Sequence, residues 1–373
     1  MKTKIFAAYL PQYHETKDNN TFWGKGYTDW VGVKKALPQF VGHKQPKIPL
    51  NDNYYDLSDY KTIQWQADLA KKYGVDGFNI YHYWFKDGKQ ELEKPAEILL
   101  QHQEININYF FTWDNASWKR TWGNIQGNDW APAFDKNDKK NESAMLVEFQ
   151  YGEKKQWKEH FEYLLRFFKD ERYYKIDGKP VFMFIGRSEE EKLQAMGKYW
   201  NELAIESGFK GIYFATKKKN FLSKPIFDMD FSYEPETSAW GKRRAVEKRI
   251  NALWGLKAKR DGAVKYIYEY KAVWKKIINN AKKGKKNQIY GCFVKYDDTP
   301  RRGKEAMMIE GESPKLFEQY FKKFYAIMCR KGAPFILITA WNEWGEGAYL
   351  EPDEMDKYGY LEALKHAVDT VDF

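Results

Sequence analysis

The sequence predicts an α/β fold, a (β/α)8 barrel formed by residues 1–373 with long loops at the C-terminal face of its strands. Three observations carry this expectation. Eight short runs are apolar nearly throughout, as parallel strands buried on both faces should be. Amphipathic helical patterns lie between most of them, the alternation of a parallel α/β fold. Polar and aromatic residues gather where nearly every run stops, and barrel active sites sit at the C-terminal strand ends. An open doubly wound sheet would concentrate them at one switch point instead.

The first run, 4–10, ends at Pro11-Gln12-Tyr13-His14. It is short and no small-residue cleavage site follows, so it reads as a strand and not as a signal peptide. The loop 11–56 holds Phe22-Trp23-Gly24-Lys25-Gly26-Tyr27-Thr28-Asp29-Trp30. Its two glycines lack the spacing of a phosphate-binding loop and open no helix, so the loop reads as a wall or lid of a cleft. Helical pattern 57–73 leads to the strand 75–85, and pattern 91–104 to the strand 106–114. A second loop, 115–150, is polar at its centre and reads as mobile. Patterns 155–170 and 189–207 flank the strand 179–186, and 211–217 follows. The crossover 218–227 is too short for a good helix. After the strand 228–235 comes a basic helical insertion, about 241–286. The strands 288–297 and 334–343 enclose a helical pattern at 313–331, and a last helix lies near 358–370.

Aromatic residues make up 18% of the chain, with 15 Trp and 27 Tyr, which suits a carbohydrate cleft as well as a large core. Sugar C–H faces pack on aromatic rings, and Tyr and Trp keep a polar handle. Cys292 and Cys329 lie in apolar surroundings and read as buried free thiols. That favours a reducing compartment and a cytoplasmic location. No run of about 18 apolar residues offers a membrane span. The segment 241–286 carries 16 Lys and Arg against Glu247, Asp261 and Glu269, while the whole chain is only +10. Its Ile267, Tyr270, Trp274, Ile277 and Ile278 recur at helical spacing. It reads either as a barrel helix with a solvated basic face or as a peripheral dock on an anionic inner-membrane surface. No recognition motif accompanies the charge, so nucleic acid is not an expected partner.

The chemistry centres on the last strand, Pro334-Phe335-Ile336-Leu337-Ile338-Thr339-Ala340, and the turn Trp341-Asn342-Glu343-Trp344-Gly345-Glu346-Gly347. In a helical turn, positions i and i+3 share a face with Cβ atoms about 5–6 Å apart. Carboxyl groups about 5–5.5 Å apart suit retaining glycoside chemistry. Glu343 and Glu346 are therefore the candidate catalytic pair, and Trp341 and Trp344 could wall the site. A plain helix-start cap is the alternative, since acids favour helix N-termini.

Other strand ends supply candidate sugar-binding residues: Tyr9, Tyr13 and His14; Tyr81, His82 and Trp84; Trp113, Asp114 and Asn115; Glu234 with Glu236; and Asn342 in the turn. Side chains alternate along a strand, so only every second one can point inward. Asp297 with Arg301 and Arg302 could recognise an anionic sugar or a phosphate, or form an internal ion pair. Asp228-Met229-Asp230 resembles a metal–nucleotide motif but lies within an apolar strand. No established metal or phosphate-loop signature appears, so neither metal nor cofactor is expected.

Trp23 to Trp30, Asp76-Gly77-Phe78 with Tyr81-His82-Tyr83-Trp84-Phe85, and Trp341 to Ala348 with Glu351-Pro352 resemble the WbsX-type proteins of bacterial polysaccharide loci. That family is described as glycosyltransferases and carries a domain similar to glycoside hydrolase family 99. The resemblance runs from about Ile5 to the end of the chain. It implies a (β/α)8 barrel and metal-independent, retaining chemistry on α-mannoside-like bonds. By that likeness Glu343 draws the proton from the sugar O2, which attacks the anomeric carbon to give a 1,2-anhydro sugar. Glu346 then protonates the leaving oxygen and activates the incoming nucleophile. The expected function is cleavage or transfer of a glycosidic bond in surface polysaccharide metabolism, on an oligosaccharide or lipid-linked glycan. A metal-dependent nucleotide-sugar glycosyltransferase of O-antigen, lipopolysaccharide or capsule synthesis, and a non-catalytic glycan-binding barrel, are the alternatives.

Overall fold

The computed structural model describes residues 2–119, 145–186, 189–217, 226–240, 264, 266–285 and 288–371. Nine parallel strands form the barrel: β1 (Lys4–Tyr9), β2 (Gly77–Trp84), β3 (Asn108–Trp113), β4 (Lys179–Phe184), β5 (Tyr213–Lys217), β6 (Met229–Phe231), β7 (Gln288–Ile289), β8 (Gly291–Phe293) and β9 (Phe335–Thr339). Their order is β7-β6-β5-β4-β3-β2-β1-β9-β8. Only Tyr290 separates β7 from β8. One pairs with β6 and the other with β9, so the two together fill one of eight barrel positions. The ring closes through the Tyr290 backbone, whose carbonyl accepts from Leu337 N at 3.4 Å. Each expected strand is present, trimmed at its ends.

Helices α1 (Tyr60–Lys72), α2 (Lys94–Gln101), α3 (Lys154–Phe168), α4 (Glu190–Glu206), α5 (Tyr270–Lys283), α6 (Pro314–Lys331) and α7 (Gly359–Asp369) fall within the expected patterns. Their ends follow local rules. Ser313 caps α6 by accepting from Leu316 N at 3.3 Å, Pro314 opens it, and Gly332 closes it in the left-handed region. Glu153 and Gln156 form a reciprocal capping box at α3. The barrel is filled on both sides. Strand β2 is buried along its whole length, and β9 likewise.

Three loops matter for the site. The loop 11–56 folds into the short helices Lys17–Trp23 and Trp30–Lys35 over the C-terminal face. Of the loop 115–150, Trp118–Lys119 pairs antiparallel with Met145–Val147, and 120–144 lies outside the described residues. Of the basic insertion, 241–263, 265 and 286 also lie outside them, as do 218–225 of the fifth crossover. The described end of the insertion is α5. Its apolar face, Tyr270, Val273, Trp274 and Ile277, is buried in the barrel wall, with Trp274 stacked on Tyr320 of α6 at 6.0 Å. Ile267 sits in a separate short strand, Tyr266–Glu269, paired with Met307–Glu310. The amphipathic pattern is thus that of a barrel helix, and only lysines such as Lys275, Lys282 and Lys283 face solvent. No helix among the described residues is long and apolar enough to cross a membrane. Cys292 and Cys329 are buried and unpaired.

Candidate active site

Strand β9 delivers the chain to the C-terminal face, and the turn that follows is bolted to β1. Trp341 N donates to Ala8 O at 2.7 Å. Asn342 grips Leu10 on both sides, accepting from its N–H at 2.8 Å and donating to its carbonyl at 3.0 Å. Asn342–Glu343 then pairs antiparallel with Ala348–Tyr349 around a single 3-10 turn, Trp344–Glu346. Gly347, at φ 57°, closes it. Tyr13 pins the turn from the loop side: its hydroxyl donates to Asn342 O at 2.5 Å and accepts from Trp344 N at 3.1 Å. Trp344 stacks on Tyr349 at 3.7 Å and donates from its indole nitrogen to Glu351 at 2.7 Å. Glu351 also accepts from Gln66 at 2.7 Å and Tyr55 at 2.9 Å.

Glu343 and Glu346 both face a cavity of about 360 Å³ at this end of the barrel. They share one cation. Arg301, from the short helix Thr299–Arg302, reaches Glu343 with Nη2 at 3.1 Å and Glu346 with Nη1 at 2.8 Å. The same Nη2 lies 3.2 Å from Asp29 Oδ2. Three carboxylates around one guanidinium leave an excess of negative charge. Glu343 is 4% exposed, and burial pushes its carboxyl up to about 8. Arg301 pulls it down, while Glu346 and Asp29 push it further up. Asp114, at the end of β3, is likewise raised to about 6 by burial, with Lys217 opposing.

Aromatic walls complete the hollow. Trp23 stacks on Tyr27 at 5.6 Å, Tyr81 shares a 2.6 Å hydrogen bond with Tyr233, and Tyr83 packs edge-on to Trp118 at 5.3 Å. Lys217 and Glu236 pair across the β5 and β6 ends, and Arg302 pairs with Asp298 at 3.1 Å. All of these except Asp298 line the cavity, beside Gln12, Asn19, Asp29 and Ile185.

The structure brings Glu343, Glu346, Arg301, Arg302, Tyr81, Asp114 and Glu236 of the expected residues into this hollow. It places the others elsewhere, for reasons visible in their contacts. Tyr9 points outward from β1 and donates to Gln66 of α1 at 2.7 Å. Tyr13, Asn342, Trp341 and Trp344 are buried pegs of the turn and not its walls. His14 is buried beneath the loop, and burial lowers it to about 4. His82 and Trp84 leave β2 on its helix side, against His160 of α3. Trp113 does the same from β3, packing on His160 and Trp200. Asn115 ties loops together, donating to Tyr151 OH and to Gly186 O. Glu234 turns inward to its own chain and accepts from Ser238 N and Oγ. Asp297 is consumed by His43 at 2.9 Å, Gln45 at 2.7 Å and Thr299 at 2.6 Å, so it is a loop anchor. Asp228 sits at the opposite, N-terminal end of β6, accepting from Phe214 N. Among the described residues no group of three or more His, Cys, Asp and Glu could hold a metal.

The site residues that strand-end reading missed are Asp29, Tyr83, Asn19, Trp118 and Lys217. Asp29 had a signal in its loop's density of Gly, Trp and Tyr, which suggested a wall but not a charge partner. Tyr83 and Lys217 had none beyond their place at strand ends.

Solved structures share this architecture. The glycoside hydrolase family 99 endo-α-mannosidase of Bacteroides thetaiotaomicron superposes with a TM-score of 0.55 at 15% identity, over 98% of this chain and 96% of that one. A glycoside hydrolase-like protein gives 0.52 at 12% identity, over 98% and 94%. The likeness at these identities is one of fold. In sequence the chain is 26% identical over 376 aligned residues to the uncharacterized protein WxcX of Xanthomonas campestris pv. campestris. It spans 98% of this chain but only 49% of that protein, so this chain corresponds to about half of its relative. The model of the WbsX glycosyltransferase family matches residues 5–364, and the chain belongs to that family.

Proposed function

We propose that the chain is a carbohydrate-active enzyme that cleaves or transfers a glycosidic bond with retention, using Glu343 and Glu346. One observation carries the reading: two carboxyl groups from one turn face one sugar-sized hollow and meet on adjacent nitrogens of the same guanidinium. Such closeness suits a mechanism in which both acids act on a single pyranose. Glu343, held near 8, is a strong base once ionised and matches abstraction of a proton from a sugar hydroxyl. Glu346, 23% exposed at its side chain, is open to the leaving and incoming oxygens. Proton from O2 to Glu343, O2 to the anomeric carbon, and proton from Glu346 to the departing oxygen complete the first half-reaction. In the second, water or a sugar hydroxyl, deprotonated by Glu346, attacks the anomeric carbon, the C1–O2 bond breaks, and O2 takes its proton back from Glu343.

Membership of the family supports a role in polysaccharide metabolism, and the likeness to an endo-α-mannosidase makes α-mannosides the first substrates to try. A lipid-linked glycan is the natural form of such a substrate at a cytoplasmic membrane face, where the solvent-facing lysines of α5 could contribute an electrostatic contact. Product analysis with a panel of defined oligosaccharides separates hydrolysis from transfer. Glu343→Gln and Glu346→Gln should each abolish turnover while glycan binding persists. Wild-type turnover in both variants would refute the assignment.

A further inference from the structure

The loop 11–56 supplies part of the cavity wall, and farther along it sends a turn out into solvent. Among the described residues six large hydrophobic side chains are exposed, and Leu37, Val41 and Ile48 of this loop are three of them. Leu37 is 70% exposed, Val41 stands wholly clear of the protein, and Pro38 and Gly42 are exposed beside them. Apolar surface residues scattered singly need no explanation, whereas several at one protruding tip do. The charge around this tip has one sign. From Trp30 to Asn51 the chain holds Lys34, Lys35, Lys44 and Lys47 and no Asp or Glu. All of these lysines except Lys47 are exposed. Glu354, which reaches the root of the loop at Asn51, is paired with Lys357.

The tip stands on a rigid stalk. Phe40, between Leu37 and Val41, turns inward instead and packs on Val264, Ile267, Ala306 and Met308. It also stacks on His43 at 4.7 Å. His43 Nδ1 accepts from Gln39 N at 3.0 Å and closes the turn, while its Nε2 donates to Asp297 at 2.9 Å. The helix Trp30–Lys35 before the turn packs against Thr299–Arg302, and Trp30 donates to Tyr55 O at 2.8 Å. Preorganised apolar side chains pay little ordering entropy on binding. Three of them are too few for a protein partner, whose interface buries about 800 Å² on each side. A second copy meeting this tip with its own would set lysine against lysine. An anionic bilayer accepts both features: apolar side chains enter the boundary of headgroups and acyl chains, and lysines stay among the phosphates. We propose that the turn 37–44 is a membrane anchor that inserts Leu37, Pro38 and Val41 into an anionic phospholipid surface, with Lys34, Lys35 and Lys44 on its phosphates. The six-residue helix Trp30–Lys35 is about 9 Å long, and Asp29 of the cavity precedes it directly. Docking therefore brings the Asp29–Arg301 side of the cavity close to the lipid. The anchor is a surface separate from the lysines of α5, and it does not rest on the chemistry proposed for Glu343 and Glu346.

Co-sedimentation with vesicles tests this on the full chain. One set of vesicles is phosphatidylcholine alone, and the other an equal mixture of phosphatidylcholine and phosphatidylglycerol. The wild type should bind the mixed vesicles only, and added salt should weaken the binding. Leu37→Ser/Val41→Ser should lose about ten-fold or more in affinity. Lys35→Glu/Lys44→Glu should lose at least as much, since each lysine near such a surface is worth about five-fold. All four side chains are exposed, so both variants should melt with the wild type. A polarity-sensitive dye on Val41→Cys should shift to the blue on mixed vesicles, the two native thiols being buried. The same dye on Ile205→Cys, at the exposed end of α4, should not. Undiminished binding by both double variants overturns the anchor and moves the contact to another face; Lys275→Glu/Lys282→Glu then shows whether α5 carries it. Failure of the wild type to bind mixed vesicles overturns it as well. So does a tip that drives self-association on a sizing column in place of vesicle binding, which would make a second copy its occupant. None of these readouts uses turnover, so the anchor stands or falls apart from the catalytic reading.

Discussion

Gly345 lies directly against Arg301: a Cβ on the glycine would sit 2.6 Å from the guanidinium Nε. It would also sit 2.7 Å from Asp29 Oδ2, the oxygen that accepts from Gly345 N at 3.2 Å. The glycine between the two glutamates is therefore a space-maker for the cation that both of them bind. Gly345→Ala should push Arg301 and Asp29 aside and lower kcat/KM by roughly 10²-fold, the scale of an ångström misplacement at a reacting centre. The stability cost of such overpacking is about 1–3 kcal/mol. Steady-state kinetics beside urea melts separate the two effects, and wild-type kinetics in the variant would show that Arg301 does not organise the pair.

The pH dependence follows from Glu343. Its carboxyl is held near 8, so at pH 6 it carries a proton and cannot act as a base. If it takes the proton from a sugar hydroxyl, kcat/KM should climb with pH and level off above about 8. If it is the general acid instead, the same titration makes activity fall above that pH. Arg301 holds the value down, so Arg301→Gln should move the limb further alkaline in either case. A profile flat from pH 6 to 9 in the wild type would break the link between this carboxyl and the rate.

Much of this architecture could be read before any coordinates. The apolar runs located every barrel strand, and the last of them located the glutamate turn, because a buried parallel strand and a polar strand end are both compositional signals. What could not be read was the phase of each strand. On β2, Tyr81 and Tyr83 enter the cavity, while His82 and Trp84 lie against α3. Asp114 and Trp113 divide in the same way, as do Tyr233 and Glu234. Because helices cover the outer face and side chains fill the inner one, both phases carry aromatic and polar residues alike. The partners of Glu343 were equally hidden: Asp29 and Arg301 lie 314 and 42 positions from it, and no spacing rule joins them.

Asn342 illustrates a residue whose role is positional. Its amide satisfies both the N–H and the C=O of Leu10, which fixes the end of β9 to the end of β1 one residue before Glu343. Asn342→Ala leaves two buried backbone groups unpaired and should cost about 2–3 kcal/mol. Activity should fall further than stability explains, because the glutamate turn is no longer anchored. Asn342→Asp keeps the acceptor and loses the donor, so about half of the stability cost should return. Denaturant melts of the two variants measure this order, and equal stability of both to wild type would show that the clamp is idle.

His82 and His160 predict a response to acid in the outer layer of the barrel. Their Nε2 atoms lie 2.7 Å apart, so one nitrogen carries the proton and the other accepts it. Trp84 stacks on His160 at 4.2 Å, and Trp113 and Trp200 meet it edge-on. Burial lowers His82 to about 3 and puts His160 well below its usual range, with the charge of His82 adding to the effect. Both stay neutral in the folded chain, whereas the unfolded chain takes up protons near 6.5. The pair's own contribution to stability should therefore decline as pH falls below about 6.5, at up to about 1.4 kcal/mol per unit for each histidine, and keep declining toward pH 3. Glu351, raised to about 7 by burial, contributes with the opposite sign, as do the raised carboxyls of Glu343 and Asp114, since their unfolded forms ionise first as pH rises. Comparison with His82→Phe/His160→Leu isolates the histidines: the slope of unfolding free energy between pH 6.5 and 5 should turn less positive in the double variant. An unchanged slope would mean that the pair takes up its protons without leaving the folded state.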